Sequence, residues 1–254
     1  MPTIFGILRV KNEARWIDSV IRSILPLCER VFVLDDHSAD STDEICARID
    51  ERVTVCRSPF ETADESRDKN FLLTRVMNSV SDIHLRGDPC SPYWALAIDG
   101  DEELVANDRE LIRLAATGPS HVVSLRILYL WDAQDQVRVD GVYGNFRRPS
   151  LFRVMNASFR FQTTPWGNGS NLHCASVPQE LLHQSVNCAA RLLHYGYMHR
   201  EDRLRKYRWY NERDPDNDSE DRYRHMVQGD LSEVPASARL RWAGPIKLEA
   251  LCAR

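Results

Sequence analysis

The run Val31-Phe-Val-Leu-Asp-Asp-His-Ser-Ala-Asp-Ser-Thr-Asp-Glu44 compresses an apolar segment, an acidic pair and a helix start into one stretch. Val31 to Leu34 reads as a buried strand. Ser41-Thr-Asp-Glu44 reads as a capping box, with Ser41 as N-cap and Glu44 reaching back, so a helix runs to about Ile49. The unit is strand, acidic turn, helix, and it recurs on both sides. Thr3 to Val10 is a short apolar run, followed by a helical pattern with Ile17, Val20, Ile21, Ile24 and Leu25 on one face and a stop near Pro26. Val53 to Val55 is a third strand, closed by Pro59. Residues 66–80 form a helical pattern with Leu72, Leu73, Val76 and Val80 inward, and Tyr93 to Ile98 is a fourth strand. This β-α-β-α-β-α-β order implies a doubly wound, mostly parallel sheet with helices on both faces. Ligands of such sheets sit at the carboxyl ends of the strands. Asp35, Asp36, Asp99 and Asp101 all fall there.

The pattern changes after residue 104. A helix over 108–116 leads to a β-like run from His121 to Trp131, then to polar, loop-rich sequence. Residues 191–213 are rich in basic side chains and end as a helix, and an acidic stretch, 214–221, follows. No repeat or low-complexity linker interrupts the chain, so 1–254 reads as one domain with an irregular second half, 105–254.

Composition narrows the class. A chain of 254 residues with 43% apolar and 28% charged residues suits a soluble globular protein with a sizeable core. The net charge of −4 argues against nucleic acid as a partner. Seven scattered cysteines without a C-x-x-C pair fit reduced thiols in a cytoplasm better than a disulfide framework or a zinc site. Neither a signal peptide nor a transmembrane segment is visible, which leaves only peripheral membrane contact open.

The fourth strand ends in Trp94-Ala-Leu-Ala-Ile-Asp-Gly-Asp-Glu-Glu103. Like charges crowded at a strand end repel unless a cation sits among them: a metal ion, arginines, or only water as a screen. Residues i and i+2 of a strand point the same way, so Asp99 and Asp101 can present two carboxylates to one point, with Gly100 leaving room. Hard cations such as Mn²⁺ or Mg²⁺ take one or two carboxylates plus substrate phosphates. The D-x-D (DXD) spacing therefore suits a metal that holds a diphosphate. His194, as a neutral imidazole, would complete the metal shell or bind the diphosphate. Arg203 and Lys206, three apart on the basic helix, could share a face and neutralise such a diphosphate.

Taken in order, "KNEA" after the first strand, "LDDHSADST" after the second, "DKN" in the third helix, "AIDGDEEL", "RRPSLFR" (147–153) and "HYGYMHREDRLRKY" (194–207) resemble inverting family-2 glycosyltransferases of the GT-A (Rossmann-like) fold, bacterial type. The resemblance covers about residues 3–210. It implies a metal-dependent transferase of hexosyltransferase type, moving a sugar from a nucleoside-diphosphate donor, UDP favoured, to a saccharide or small-molecule acceptor. Residues 1–104 would be the nucleotide-sugar-binding half and 105–254 the acceptor-binding half with C-terminal helices. Asp99 and Asp101 would be the metal-binding motif, Asp35 and Asp36 would reach the nucleoside, and Asn12 and Glu13 would pack against it. Members carry an Arg-Asn pair on the third helix; here Lys69-Asn70 stands there with Arg67 close by, so either cation could touch the nucleotide.

An inverting transfer also needs a general base. Related enzymes show a His-Glu pair after the "LFR" element, but this chain has His173-Cys174, which leaves Glu180, His173 and Asp140 as alternatives. Trp166, with Asn168 and Asn171, forms a candidate acceptor loop, the indole stacking on a sugar face. The missing His-Glu carboxylate also supports an alternative, a non-catalytic GT-A-like module that binds a nucleotide sugar or glycan. A nucleotidyltransferase is disfavoured because no glycine-rich loop follows the first strand, and a dinucleotide dehydrogenase because no G-x-G-x-x-G does.

Overall fold

The computed structural model describes residues 1–86, 92–155, 158–162, 173–213, 223–227 and 245–251. The first half follows the expected order: β1 (Thr3–Val10), α1 (Ile17–Ile24), β2 (Cys28–Asp35), α2 (Thr42–Ile49), β3 (Val53–Arg57), α3 (Glu65–Leu85) and β4 (Tyr93–Ala97). β1 pairs in parallel with both β2 and β4, and β2 with β3. Strand alternation then sorts the core into two layers. Ile4, Leu8, Val10, Val31, Val33, Trp94 and Leu96 face α1 and α2. Phe5, Ile7, Phe32, Leu34, Ala95 and Ala97 face α3 through Leu72, Leu73 and Val76. Helices thus cover both faces, as a doubly wound sheet requires.

The second half adds β5 (Glu102–Leu104), α4 (Arg109–Thr117), β6 (Val122–Trp131), β7 (Ala133–Arg138), β8 (Arg147–Arg153), β9 (Ser185–His194), α5 (Arg200–Arg213) and β10 (Leu248–Ala250). The sheet runs β10-β7-β6-β8-β4-β1-β2-β3, with β9 joining β5 and β6. Two antiparallel pairings position the site. β8 lies against β4, with Leu151 opposite Leu96, and β5 lies against β9, with Glu102 opposite His194. Residues from the second half are thereby carried to the carboxyl end of β4.

Two local expectations are corrected. Ser41 makes no side-chain cap at α2. Asp40 replaces it, its Oδ1 accepting from Thr42 N at 3.1 Å and Thr42 Oγ1 at 2.5 Å. Glu44 does not reach back but pairs with Arg48 one turn on, at 3.2 Å. Thr42 Oγ1 and Asp40 Oδ2 also accept from Glu13 N and Ala14 N, so the polar residues before α2 tie it to the loop after β1. The third helix is longer than 66–80, because Asp64 caps it by accepting from Arg67 N at 3.0 Å and the helix continues to Leu85. Among the described residues, no helix is long and apolar enough to cross a membrane.

Trp94, the second residue of β4, is fully buried. Trp94→Ala should lower the unfolding free energy by about 3–5 kcal/mol. Urea denaturation followed by circular dichroism measures this, and a loss below 1 kcal/mol would contradict the two-layer core.

Candidate active site

The turn after β4 is where the charges meet. Glu102 N donates to Asp99 O at 3.1 Å, and Asp99 N donates back to Glu102 Oε2 at 2.9 Å. Gly100 sits against the loop after β1, where a Cβ would come within 2.9 Å of Glu13 Cγ and Val10 Cγ1. The turn is closed on itself and has no room for a side chain at its middle.

Two cations of the chain balance its acids. Arg148, on β8, donates through Nη1 to Asp99 Oδ2 at 2.9 Å and through Nη2 to Glu102 Oε2. Burial works to lower the Arg148 pKa, but Glu102 and Asp99 outweigh it and the guanidinium is held charged. Burial pushes Glu102 up to about 7, and Asp99 and Asp101 add to that against the pull of Arg148. Lys206, on α5, donates to Asp101 Oδ2 at 2.6 Å. Burial alone would raise Asp101, yet Lys206 brings it below the usual carboxylate range. His194 Nε2 stands 3.8 Å from the same oxygen. Burial pushes His194 down to about 4, so its imidazole is neutral, and its buried Nδ1 has no hydrogen-bond partner. Glu13 completes the group; burial first, then Asp101, pushes it up to about 8.

Asp101, His194 and Lys206 therefore converge, while Asp99 turns toward Arg148. Among the described residues, no three His, Cys, Asp or Glu side chains form a cage for an ion. The donor chemistry still suits a divalent cation of the kind that keeps few protein ligands and takes the rest from phosphate and water. The Asp99 side chain is 45% exposed with one oxygen on Arg148, and the orphaned His194 nitrogen is neutral.

A second charged group lines the neighbouring strand ends. Arg9 bridges Asp36 at 2.6 Å and Asp68 at 2.8 Å. Arg67 pairs with Asp68 and lies 3.9 Å over the Phe60 ring. Asp35 is buried, with Oδ2 accepting from Ser38 N and Oδ1 unpartnered. Asn12, at positive φ, accepts from Ala39 N and braces the loop after β2. Lys69 is buried, paired with Glu65 at 2.7 Å, and lines a small cavity with Arg9 and Asp99.

Other expected residues lie elsewhere. Arg203 does not share a face with Lys206 at the carboxylates. Its guanidinium donates to Tyr197 O, Met198 O and Asp132 Oδ1 and sits over the Trp131 ring, anchoring α5 to the end of β6. Asp140 is unsuited to take a proton, because burial works to raise its pKa but Arg138, holding both of its oxygens, brings it below the ordinary carboxylate value. Glu180 is exposed on a 3-10 turn, accepting from Arg160 N at 3.3 Å. His173 lies beside α5, stacked on Tyr210 at 5.3 Å and 2.8 Å from Tyr223 Oη. Trp166, Asn168 and Asn171 lie outside the described residues.

Sequence reasoning left Arg148, Glu102, Arg9 and Asp68 without roles. Arg148 carried the one usable signal, a basic residue just before Pro149 in a strand-like run; its partners depend on β8 pairing with β4, which composition does not reveal.

No protein-family model matches the chain. It is 24% identical over 225 residues to uncharacterized proteins of Mycobacterium bovis and Mycobacterium tuberculosis, covering 84% of this chain and 51% of each relative. The chain thus spans about half the length of the curated relatives it matches. Among solved structures, S. aureus TarS 1–349 in complex with UDP aligns over 94% of this chain and 78% of that chain, with a TM-score of 0.50 and 12% identity. Glucosyl-3-phosphoglycerate synthase from Mycobacterium tuberculosis in complex with Mn²⁺ and UDP-glucose aligns over 50% of this chain and 44% of that chain, at a TM-score of 0.34 and 21% identity. The likeness to TarS spans both halves, and the fold is GT-A.

Arg148→Met should strand Glu102 in the interior and cost about 3 kcal/mol at neutral pH. Without Arg148 the Glu102 pKa rises above about 7, whereas the unfolded chain ionises near the ordinary glutamate value. The native state then binds the extra proton, so stability falls as pH rises between those two values. The deficit against wild type should be larger at pH 8 than at pH 5. Urea titrations at both values check this, and a pH-independent deficit would contradict the pairing.

Proposed function

We propose that the chain is a metal-dependent inverting glycosyltransferase that binds a nucleoside-diphosphate sugar, UDP favoured, at the carboxyl ends of β1, β2 and β4. One observation carries the reading: Asp99 and Asp101 end the central strand of a GT-A sheet beside a neutral histidine and a lysine. The complex of TarS with UDP supports a uridine nucleotide. Residues 1–104 are assigned to the donor, joined there by His194 and Lys206, and the rest of 105–254 to the acceptor.

Asp35, Asp36, Asn12 and Glu13 border the nucleoside, while Arg67 and Lys69 are the cations near the phosphates. Asp99, Asp101 and His194 would hold Mn²⁺ or Mg²⁺. An ion there supplies positive charge to the diphosphate leaving group. Lys206 offers a second positive charge at the same place, where negative charge grows as the glycosidic bond to phosphate breaks. The acceptor hydroxyl forms the new bond to the anomeric carbon and gives up its proton to a base. Of the two remaining base candidates, Glu180 and His173, the histidine stands beside α5, the helix that carries Lys206. The acceptor is a saccharide or small molecule, with Trp166, Asn168 and Asn171 as its candidate loop.

A thermal-shift panel of UDP, GDP, CDP and dTDP, each with and without Mn²⁺, tests the donor site. Binding to the native state alone raises stability by about 2.7 kcal/mol at a hundredfold excess over Kd. UDP with Mn²⁺ should give the largest shift, and Asp101→Asn should lose the manganese-dependent part while keeping its fold. A panel in which no nucleotide shifts the transition would sink the reading.

A further inference from the structure

Asp101 already holds a cation. Lys206 Nζ lies 2.6 Å from Oδ2, and the chain makes room for that contact, since a Cβ at Gly196 would fall on both Asp101 Oδ2 and Lys206 Nζ. A divalent ion on the same carboxylate would meet the ammonium within a few ångströms, and at that range like charges repel strongly away from bulk water. A free ion is therefore opposed at this site. A diphosphate changes the balance, because it ligates the ion and offers the ammonium a new anionic partner.

The two cations of the turn are not equivalent in this respect. Arg148 is clamped between two acids, one of them buried, whereas Lys206 touches one carboxylate and its side chain is 26% exposed. A lysine is a point charge on a flexible stem and can change partners by rotation alone. The helix need not follow, because Arg203 fixes α5 to Asp132 and to the Tyr197 and Met198 carbonyls.

We propose that Lys206 is an exchangeable counterion: in the ligand-free protein it occupies the cation position on Asp101, and it passes to the donor diphosphate when ion and nucleotide arrive together. This rests on the nucleotide-sugar reading above. Its consequence is positive coupling between Mn²⁺ and UDP, which by linkage must be reciprocal.

Mn²⁺ binding to the nucleotide-free protein, followed by electron paramagnetic resonance of the free ion, tests the exchange. Lys206→Met should bind Mn²⁺ about tenfold or more tighter than wild type, as expected when a competing like charge at contact distance from Asp101 is removed. Lys206→Gln, which keeps a donor without charge, should behave like Lys206→Met and stands in if that variant fails to fold. A lysine needed only for packing would give neutral variants with equal or weaker Mn²⁺ binding. That result, with wild type still binding UDP in a manganese-dependent way, overturns the exchange alone. Wild type that binds no UDP even with Mn²⁺ overturns the donor site itself, and the exchange with it.

Discussion

Asp99, Asp101 and Glu102 crowd into one turn, and the structure tolerates them because Arg148 and Lys206 come from distant parts of the chain to meet them. Charges of one sign brought out of water at this density would ionise incompletely or force the turn open. Glu102 shows the first response, its pKa pushed up to about 7 by burial even with Arg148 against it. Arg148 prevents the second. The guanidinium joins the two ends of the turn, and the Asp99 N–H to Glu102 contact closes the loop between them.

That requirement links the halves of the molecule. The parallel strands β1 to β4 could form a sheet alone, but the end of β4 would then expose three acids with no partner. β8 pairs against β4 so that Leu151 faces Leu96, which leaves Arg148 beyond the last paired residue and level with the turn. β9 pairs with β5 and delivers His194 opposite Glu102, and the tight bend at Gly196 returns the chain into α5. The apolar core sets these registers, and electrostatic compensation follows from them. The irregular second half is therefore a condition for the carboxylate turn to exist.

The first half was legible because its signals are local. A continuous apolar run in Val31 to Leu34 and helical periodicity in Ile17 to Ile24 each depend on neighbours in the chain. Placing Asp35, Asp36, Asp99 and Asp101 at strand ends needed only that order. Cation pairing was not legible, because the partner of a charge is set by tertiary register. Arg203 and Lys206 look alike in sequence, three apart on a basic helix, yet one anchors the helix under Trp131 and the other reaches Asp101. Asp140 failed as a base for the same reason, since Arg138 two residues earlier clamps it within β7 and its following turn. The capping box failed differently: Ser41 fits the pattern, but Asp40 and Thr42 are also needed to hold the loop after β1.

The choice of arginine at 148 and lysine at 206 follows from what each position must do. A planar fork suits a cation that joins two acids at fixed separation, and its charge cannot be titrated away. A single ammonium suits a cation that faces one acid at the border of solvent. Exchanging them would fail in opposite ways. A lysine at 148 could satisfy Asp99 or Glu102 but not both, and the loser would be a buried, unpaired carboxylate. An arginine at 206 would keep the charge but would need more space beside Gly196, where even a Cβ would overlap the existing pair. The turn thus combines a fixed cation that maintains its shape with a movable one that leaves Asp101 available to a ligand.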